Sequence, residues 1–240
     1  MTEPLLSLVI PAYNEEGRLP ASLARVSDYL SSRGDPYEVV VVVNGSTDRT
    51  ADVAKAAARH DPNVRVIQTP QRGKGLAVRL GVLDAQGGRI VFCDADLSTP
   101  IDEVIGLADR LDDEYQVVIA SREGLGARRI GEPYARHLMG RVFNALVRAL
   151  AVPGIQDTQC GFKAFTREAA RDIFPRQTID GFGFDVELLY IARQRGYRIR
   201  EVPVTWVYAA SSRVDPLRDT VRMFADVLRV RLNDLRGRYA

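Results

Sequence analysis

In the first half of the chain, short apolar runs rich in Val and Ile alternate with stretches whose apolar positions recur at helical spacing. The runs at residues 6–10, 38–43, 64–68, 89–93 and 116–120 lack the in-out alternation of a strand with one wet face. They read as strands buried on both sides, as in a parallel sheet. Between them, residues 16–31, 48–59, 75–85 and 101–111 read as helices. Such a βαβ series predicts an α/β fold: an open, mostly parallel, Rossmann-like sheet flanked by helices. The alternation weakens after about residue 121. A basic loop comes next, then a helix near residues 136–150, the segment DTQCGFKAF and a helix near 184–194. The strand-like REVPVTWVY and an amphipathic helix at about 216–235 complete the pattern. No repeat or low-complexity linker divides the chain, so residues 1–212 read as one domain and residues 213–240 as a terminal helix.

Ligands of open α/β sheets bind beyond the carboxyl ends of the strands, and the chemistry-bearing residues fall at those ends. After the first strand stand Pro11, Tyr13, Asn14 and Glu15; after the second, Asn44, Gly45, Ser46 and Asp48. After the third comes QRGKG, where glycines let the backbone approach a ligand and Arg72 and Lys74 supply positive charge. After the fourth comes DADLSTP. Residues two apart in a strand point to one side, so Asp94 and Asp96, with Ala95 between them, would repel each other unless a cation lies between. Each stretch also has a plainer reading: Asp96 or Ser98 caps the helix after Pro100, Ser46 or Asp48 caps the helix after the second strand, and GKG is a turn. Four such stretches on one sheet edge make a site, and their chemistry suits a nucleotide diphosphate with a metal held against its phosphates.

Composition narrows the setting. A net charge of +2 over 240 residues argues against non-specific nucleic-acid binding. The two cysteines, Cys93 and Cys160, have no metal-ligand spacing and fit a reduced, cytoplasmic protein. No run approaches the length of a membrane span, so membrane contact is expected to be peripheral.

VIPAYNEE, NGSTDRT, RGKG and DADLSTP, in this order and spacing, resemble the family 2 glycosyltransferases of the GT-A fold, and the likeness runs from about residue 6 to 235. DTQCGFKAF, FDVELLY and VPVTW resemble the dolichyl-phosphate β-glucosyltransferase branch, near the polyprenyl-phosphate mannose synthases. Two positions depart from the common pattern. Val43 and Asn44 stand where two aspartates are usual, and Ser98 stands where some mannose synthases have Gln. The resemblance implies an inverting transferase with a nucleotide-sugar part at about residues 1–120 and an acceptor part at about 121–212. It implies transfer of a hexose, glucose from UDP-glucose first and mannose from GDP-mannose second, to a polyprenyl phosphate, with a soluble acceptor as the further alternative. Nucleotide-sugar contacts are expected at Pro11, Tyr13, Asn14, Glu15, Asn44, Ser46, Arg72, Lys74, Asp94, Ala95 and Asp96. Mg²⁺ or Mn²⁺ is expected on Asp94 and Asp96, and the acceptor phosphate on Arg122 and Arg136.

Asp157 precedes a Gly-Phe pair in the segment that the resemblance places beside the acceptor, where it either acts as catalytic base or orients the acceptor; it is equally a turn aspartate. A polyprenyl phosphate is already anionic near neutral pH, so its transfer needs no strong base. In the terminal helix, Leu217, Val221, Phe224, Leu228 and Leu235 lie at helical spacing among arginines. Such a helix either lies on an anionic membrane at the inner face of the cell membrane or packs on its own domain.

Overall fold

The computed structural model describes residues 4–208 and 216–240, with the side chains of all these except 135, 136 and 216–221. Five strands of the first half, β1 (Leu6–Ala12), β2 (Tyr37–Asn44), β3 (Val64–Thr69), β4 (Arg89–Phe92) and β5 (Val117–Ser121), follow the apolar runs within one or two residues. Helices α1 (Leu19–Arg33), α2 (Thr50–His60), α3 (Lys74–Asp84) and α4 (Ile101–Ala108) connect them. Every residue of β1 and β5 is buried, and Val39 to Val43 of β2 are as well, which is why no alternation shows in their sequence.

The second half adds β6 (Arg128–Ile130), α5 (Tyr134–Leu150), β7 (Lys163–Thr166), α6 (Arg167–Ile173), a short 3₁₀ turn (Phe174–Arg176), α7 (Phe184–Gln194), β8 (Ile199–Pro203), β9 (Thr205–Val207) and α8 (Pro216–Leu235). The main sheet runs β3-β2-β1-β4-β7-β5-β8, parallel except for β7, which lies antiparallel between β4 and β5. The β7 segment does not read as a strand, because it is only four residues long and begins with a lysine. That lysine is buried, and the fold supplies its partner. REVPVTWVY is not one strand but two. At Val204 the chain leaves the main sheet, its N–H bonding Ser121 and its C=O accepting from Arg128, and β9 pairs with β6 in a second small sheet. Two apolar cores lie on opposite faces of the main sheet, one under α3, α6 and α7, the other under α1 and α4.

Candidate active site

The carboxyl ends of β1, β2 and β4 and the loop before α3 surround an open cleft of about 550 Å³. Nine of the eleven nucleotide-sugar candidates line it: Pro11, Tyr13, Glu15, Asn44, Arg72, Lys74, Asp94, Ala95 and Asp96. The other two stitch loops together. Asn14 accepts from the Thr47 N–H at 2.8 Å, and the Ser46 hydroxyl accepts from the Asn14 N–H at 3.0 Å. Tyr13 lies under the Arg72 guanidinium, 4.6 Å from its ring centre. Asn44 donates to the Gly73 carbonyl at 3.2 Å, so it shapes the glycine loop from below. Six further lining residues carried no signal in the local pattern: Arg18, which grips Glu15 at 2.7 Å, Gly181 and Phe182 before α7, and Arg222, Met223 and Asp226 of α8.

The turn after β4 is shaped by its aspartates. Asp96 accepts from the Ser98 N–H at 3.0 Å, and Leu97 takes a left-handed φ of 47°, a conformation costly for a branched side chain that burial of Leu97 offsets. Neither Asp96 nor Ser98 caps α4, whose N-cap is Pro100 with no side-chain bond. Asp94 meets the Lys74 ammonium at 2.5 Å. Burial opposes the charge on Lys74, but Asp94 and Asp185 outweigh it and hold the ammonium protonated above the ordinary lysine value. Behind Asp94 lies Gly161. A Cβ there would stand 2.1 Å from an Asp94 oxygen, so a larger residue would push this carboxylate away from the DTQCGF segment.

That segment links the cleft to a second charge centre. Asp157 has no exposed surface and receives Arg122 three times, from Nε at 2.7 Å, Nη2 at 2.9 Å and the backbone N–H at 2.9 Å. Burial works against the Asp157 charge, yet Arg122 outweighs it and holds the carboxyl well below the usual range. Its backbone is bound too, by Glu201 at 2.9 Å. Both oxygens of the Asp157 carboxylate are thus held by Arg122, and none of its surface is exposed. The guanidinium lies over Trp206, 5.3 Å from the ring centre, and its side chain stays 18% exposed. Arg136 belongs to α5, but its side chain lies outside the described residues. Burial pushes the neighbouring Cys160 thiol up to about 12, with Asp157 adding to the effect, so it is a packing residue.

Lys163 and Asp185 form a fully buried ion pair, and Lys163 also donates to the Cys160 carbonyl at 2.7 Å. Burial raises the Asp185 carboxyl, opposed by Lys163 and Lys74. In the sequence Asp185 is an acidic residue at a helix start; in the fold it stands behind Lys74. The available signal was Lys163 itself, a charge inside an apolar stretch, which demands a buried partner.

A doubly wound sheet whose strand ends gather paired carboxylates, a glycine loop and basic side chains into one cleft has the architecture of a GT-A glycosyltransferase. The pattern of glycosyl transferase family 2 matches residues 7–174, and the chain belongs to that family. It is 40% identical over 247 residues to the dolichyl-phosphate beta-glucosyltransferase of Homo sapiens, covering 97% of this chain and 76% of that protein. Against the dolichyl-phosphate beta-glucosyltransferase of Dictyostelium discoideum the identity is 35% over 249 residues, covering 97% and 75%. Among solved structures, the glucosyl-3-phosphoglycerate synthase of Mycobacterium tuberculosis with Mn²⁺, uridine-diphosphate and glucosyl-3-phosphoglycerate matches with a TM-score of 0.69 at 22% identity, over 97% of this chain and 80% of its own. The same enzyme has been solved with Mg²⁺ and uridine-diphosphate, TM-score 0.68 at 22% identity, over 95% and 79%. At that identity the likeness shows the fold.

Proposed function

We propose that this family 2 glycosyltransferase moves glucose from UDP-glucose to a polyprenyl phosphate of the dolichyl type at a membrane surface, using Mg²⁺ or Mn²⁺. The observation that carries this reading is the backing of Asp94 by the same DTQCGF segment that positions Arg122. The sugar-diphosphate side and the anion-binding side are thereby built on one piece of backbone. Relatives named dolichyl-phosphate beta-glucosyltransferase, matched along nearly the whole chain, supply the sugar and the acceptor class.

The donor set suits a hard divalent ion: two carboxylates bordering one cleft beside cationic groups. Among the described residues no three His, Cys, Asp or Glu side chains converge, and an ion held by two carboxylates would leave positions open to substrate oxygens and water. Asp94 and Asp96 would hold the ion, which when bound neutralises charge on the departing diphosphate. Arg72 and Lys74 place two more positive charges on the diphosphate side. Arg122 holds the acceptor phosphate, whose oxygen forms the new bond to the anomeric carbon as the bond to the nucleoside diphosphate breaks on the opposite face. The attacking oxygen is already anionic, so no side chain need remove a proton, in keeping with the closed environment of Asp157.

The membrane contact rests on α5 and α8, which pack side by side. Leu138, Met139, Val142 and Leu146 of α5 and Phe224, Leu228, Leu232 and Leu235 of α8 are exposed, as are Arg141 and Arg229. Val227 and Val230 face the core, so α8 both packs on its domain and keeps an apolar row outside. Leu217 and Val221 lie outside the described side chains. No described helix is long and apolar enough to cross a membrane. An apolar row flanked by guanidinium groups suits the anionic headgroup layer, which on the cytoplasmic side is the inner face.

The deciding experiment incubates the purified protein with UDP-glucose, GDP-mannose and other nucleotide sugars, polyprenyl phosphate or a water-soluble phosphate monoester, and Mg²⁺, Mn²⁺ or EDTA. Metal-dependent glucosylation of the polyprenyl phosphate is expected. Transfer from GDP-mannose instead would replace the sugar, and equal transfer to the soluble ester would remove the lipid acceptor.

A further inference from the structure

Glu187, in the first turn of α7, has no exposed surface, and four donors close on its carboxylate. Oε1 accepts from the hydroxyls of Thr178 and Tyr239, each at 2.7 Å, and Oε2 accepts from the N–H groups of Thr178 at 3.0 Å and Ile179 at 2.8 Å. Asn233 of α8 donates to the Thr178 hydroxyl at 2.9 Å and to Tyr239 at 3.3 Å. A buried carboxylate with all its lone pairs engaged pins whatever donates to it. Here it pins residues 178 and 179 between α7 and the end of α8.

Those residues buttress the glycine loop of the cleft. Gln177 donates to the Gly75 carbonyl at 2.9 Å, and Arg79 donates to the Gln177 carbonyl at 2.7 Å and pairs with Asp180 at 3.0 Å. The Leu76 N–H donates to the Asp180 carbonyl at 3.3 Å. The surfaces touch closely enough that a Cβ at Gly73 would stand 2.5 Å from the Asp180 oxygen, and one at Gly75 2.6 Å from the Ile179 oxygen. Lys74, which holds Asp94, lies between these two glycines.

We propose that Glu187, Tyr239 and Asn233 are positioning residues for the donor site. They set residues 177–180, and through them the loop that aims Lys74 and Arg72 at the diphosphate. The mechanism above uses none of the three, and none of them lines the cleft. Two of them lie on or just beyond α8, so the seating of that helix on its domain is transmitted to the donor loop. The choice of uridine nucleotide as probe rests on the proposed function; the network does not.

Tyr239→Phe keeps the buried ring against Tyr190, at 6.0 Å between centres, and removes only the hydroxyl. The affinity for UDP with Mg²⁺, measured by calorimetry, is expected to fall about tenfold, and the donor KM to rise with it. The kcat and the acceptor KM stay within about twofold of wild type. Hydrogen exchange at the amides of residues 74–77 quickens in the ligand-free protein. Ser7→Ala is the control, because it deletes a buried hydroxyl that donates to Glu38 at 2.5 Å at the opposite end of β1. It should lower Tm without changing UDP affinity or exchange at 74–77. If Tyr239→Phe behaves as Ser7→Ala does, the inference is overturned. A wild type that binds no uridine nucleotide overturns the donor reading instead, and the exchange measurement then decides the network by itself.

Discussion

Asp94, which packs against the DTQCGF segment, and Asp157, which opens it, are both bound to a basic side chain, and their environments are opposite. The Asp94 side chain is one third exposed and borders an open cleft; Asp157 is sealed, with both oxygens taken by Arg122. An exposed carboxylate can trade its ammonium partner for a metal or a substrate at small cost. A buried one cannot leave its guanidinium without stranding a charge in a poor dielectric. Reachable lone pairs, more than proximity to the site, separate a ligand from a support.

The sharpest way to break this comparison is to neutralise each aspartate. Asp94→Asn is expected to lower metal-dependent kcat/KM by about a thousandfold with the fold intact by circular dichroism. Asp157→Asn should leave the folded fraction within about tenfold of wild-type kcat. Equal losses in the two would return Asp157 to the role of base. Arg122→Ala comes next, because it strands the Asp157 charge. Unfolding in urea should show a loss of about 3 kcal/mol, and adding Asp157→Asn should restore part of it.

Acid titration gives a smaller effect. The folded carboxyl of Asp157 lies below its unfolded value, so its contribution to stability is complete above the unfolded value, near pH 4, and is lost as pH falls towards the folded one. Wild-type Tm should therefore drop more steeply than that of Asp157→Asn between about pH 5 and pH 2. The smallest expected change in turnover comes from the exposed apolar row of α8. Leu228→Glu with Leu232→Glu should abolish flotation with anionic vesicles while changing transfer to a short-chain polyprenyl phosphate in detergent by less than about threefold. Undiminished flotation would remove α8 from the membrane contact.

Much of the fold was legible because a parallel sheet buried on both faces needs unbroken apolar strands, and β1, β2, β4 and β5 have them, while the edge strand β3 is only partly buried and carries Arg65 and Gln68. Helices α1, α2 and α4 were legible from apolar period, whereas α3 is apolar on most sides, with Leu76, Ala77, Val78 and Val82 all buried, and was legible from its place between two strands. β7 was not, because its central place compensates for a short and charged sequence, and Lys163 is tolerable there only against Asp185. The break at Val204 was hidden for a related reason: both halves of REVPVTWVY have strand character, and which sheet each joins depends on distant partners in β5 and β6. Nine of eleven donor-site candidates line the cleft since strand-end residues face it by construction. Asn14 and Ser46 have the same polarity and spacing, but their loops lie close enough to bond each other first.

By itself, then, the sequence determined the order of strands and helices, the sheet edge that carries the chemistry, the DAD turn with its basic glycine loop, and the family. These are local properties, written in apolar period and in polar residues at strand ends. Tertiary structure decided which carboxylate stays open and which is closed, that Gly161 backs Asp94, that α8 walls the cleft as well as presenting an apolar row, and that Glu187 ties its end to the donor loop. Each of these depends on burial and on partners dozens of residues away, and the energy of a charge is set by what surrounds it in space.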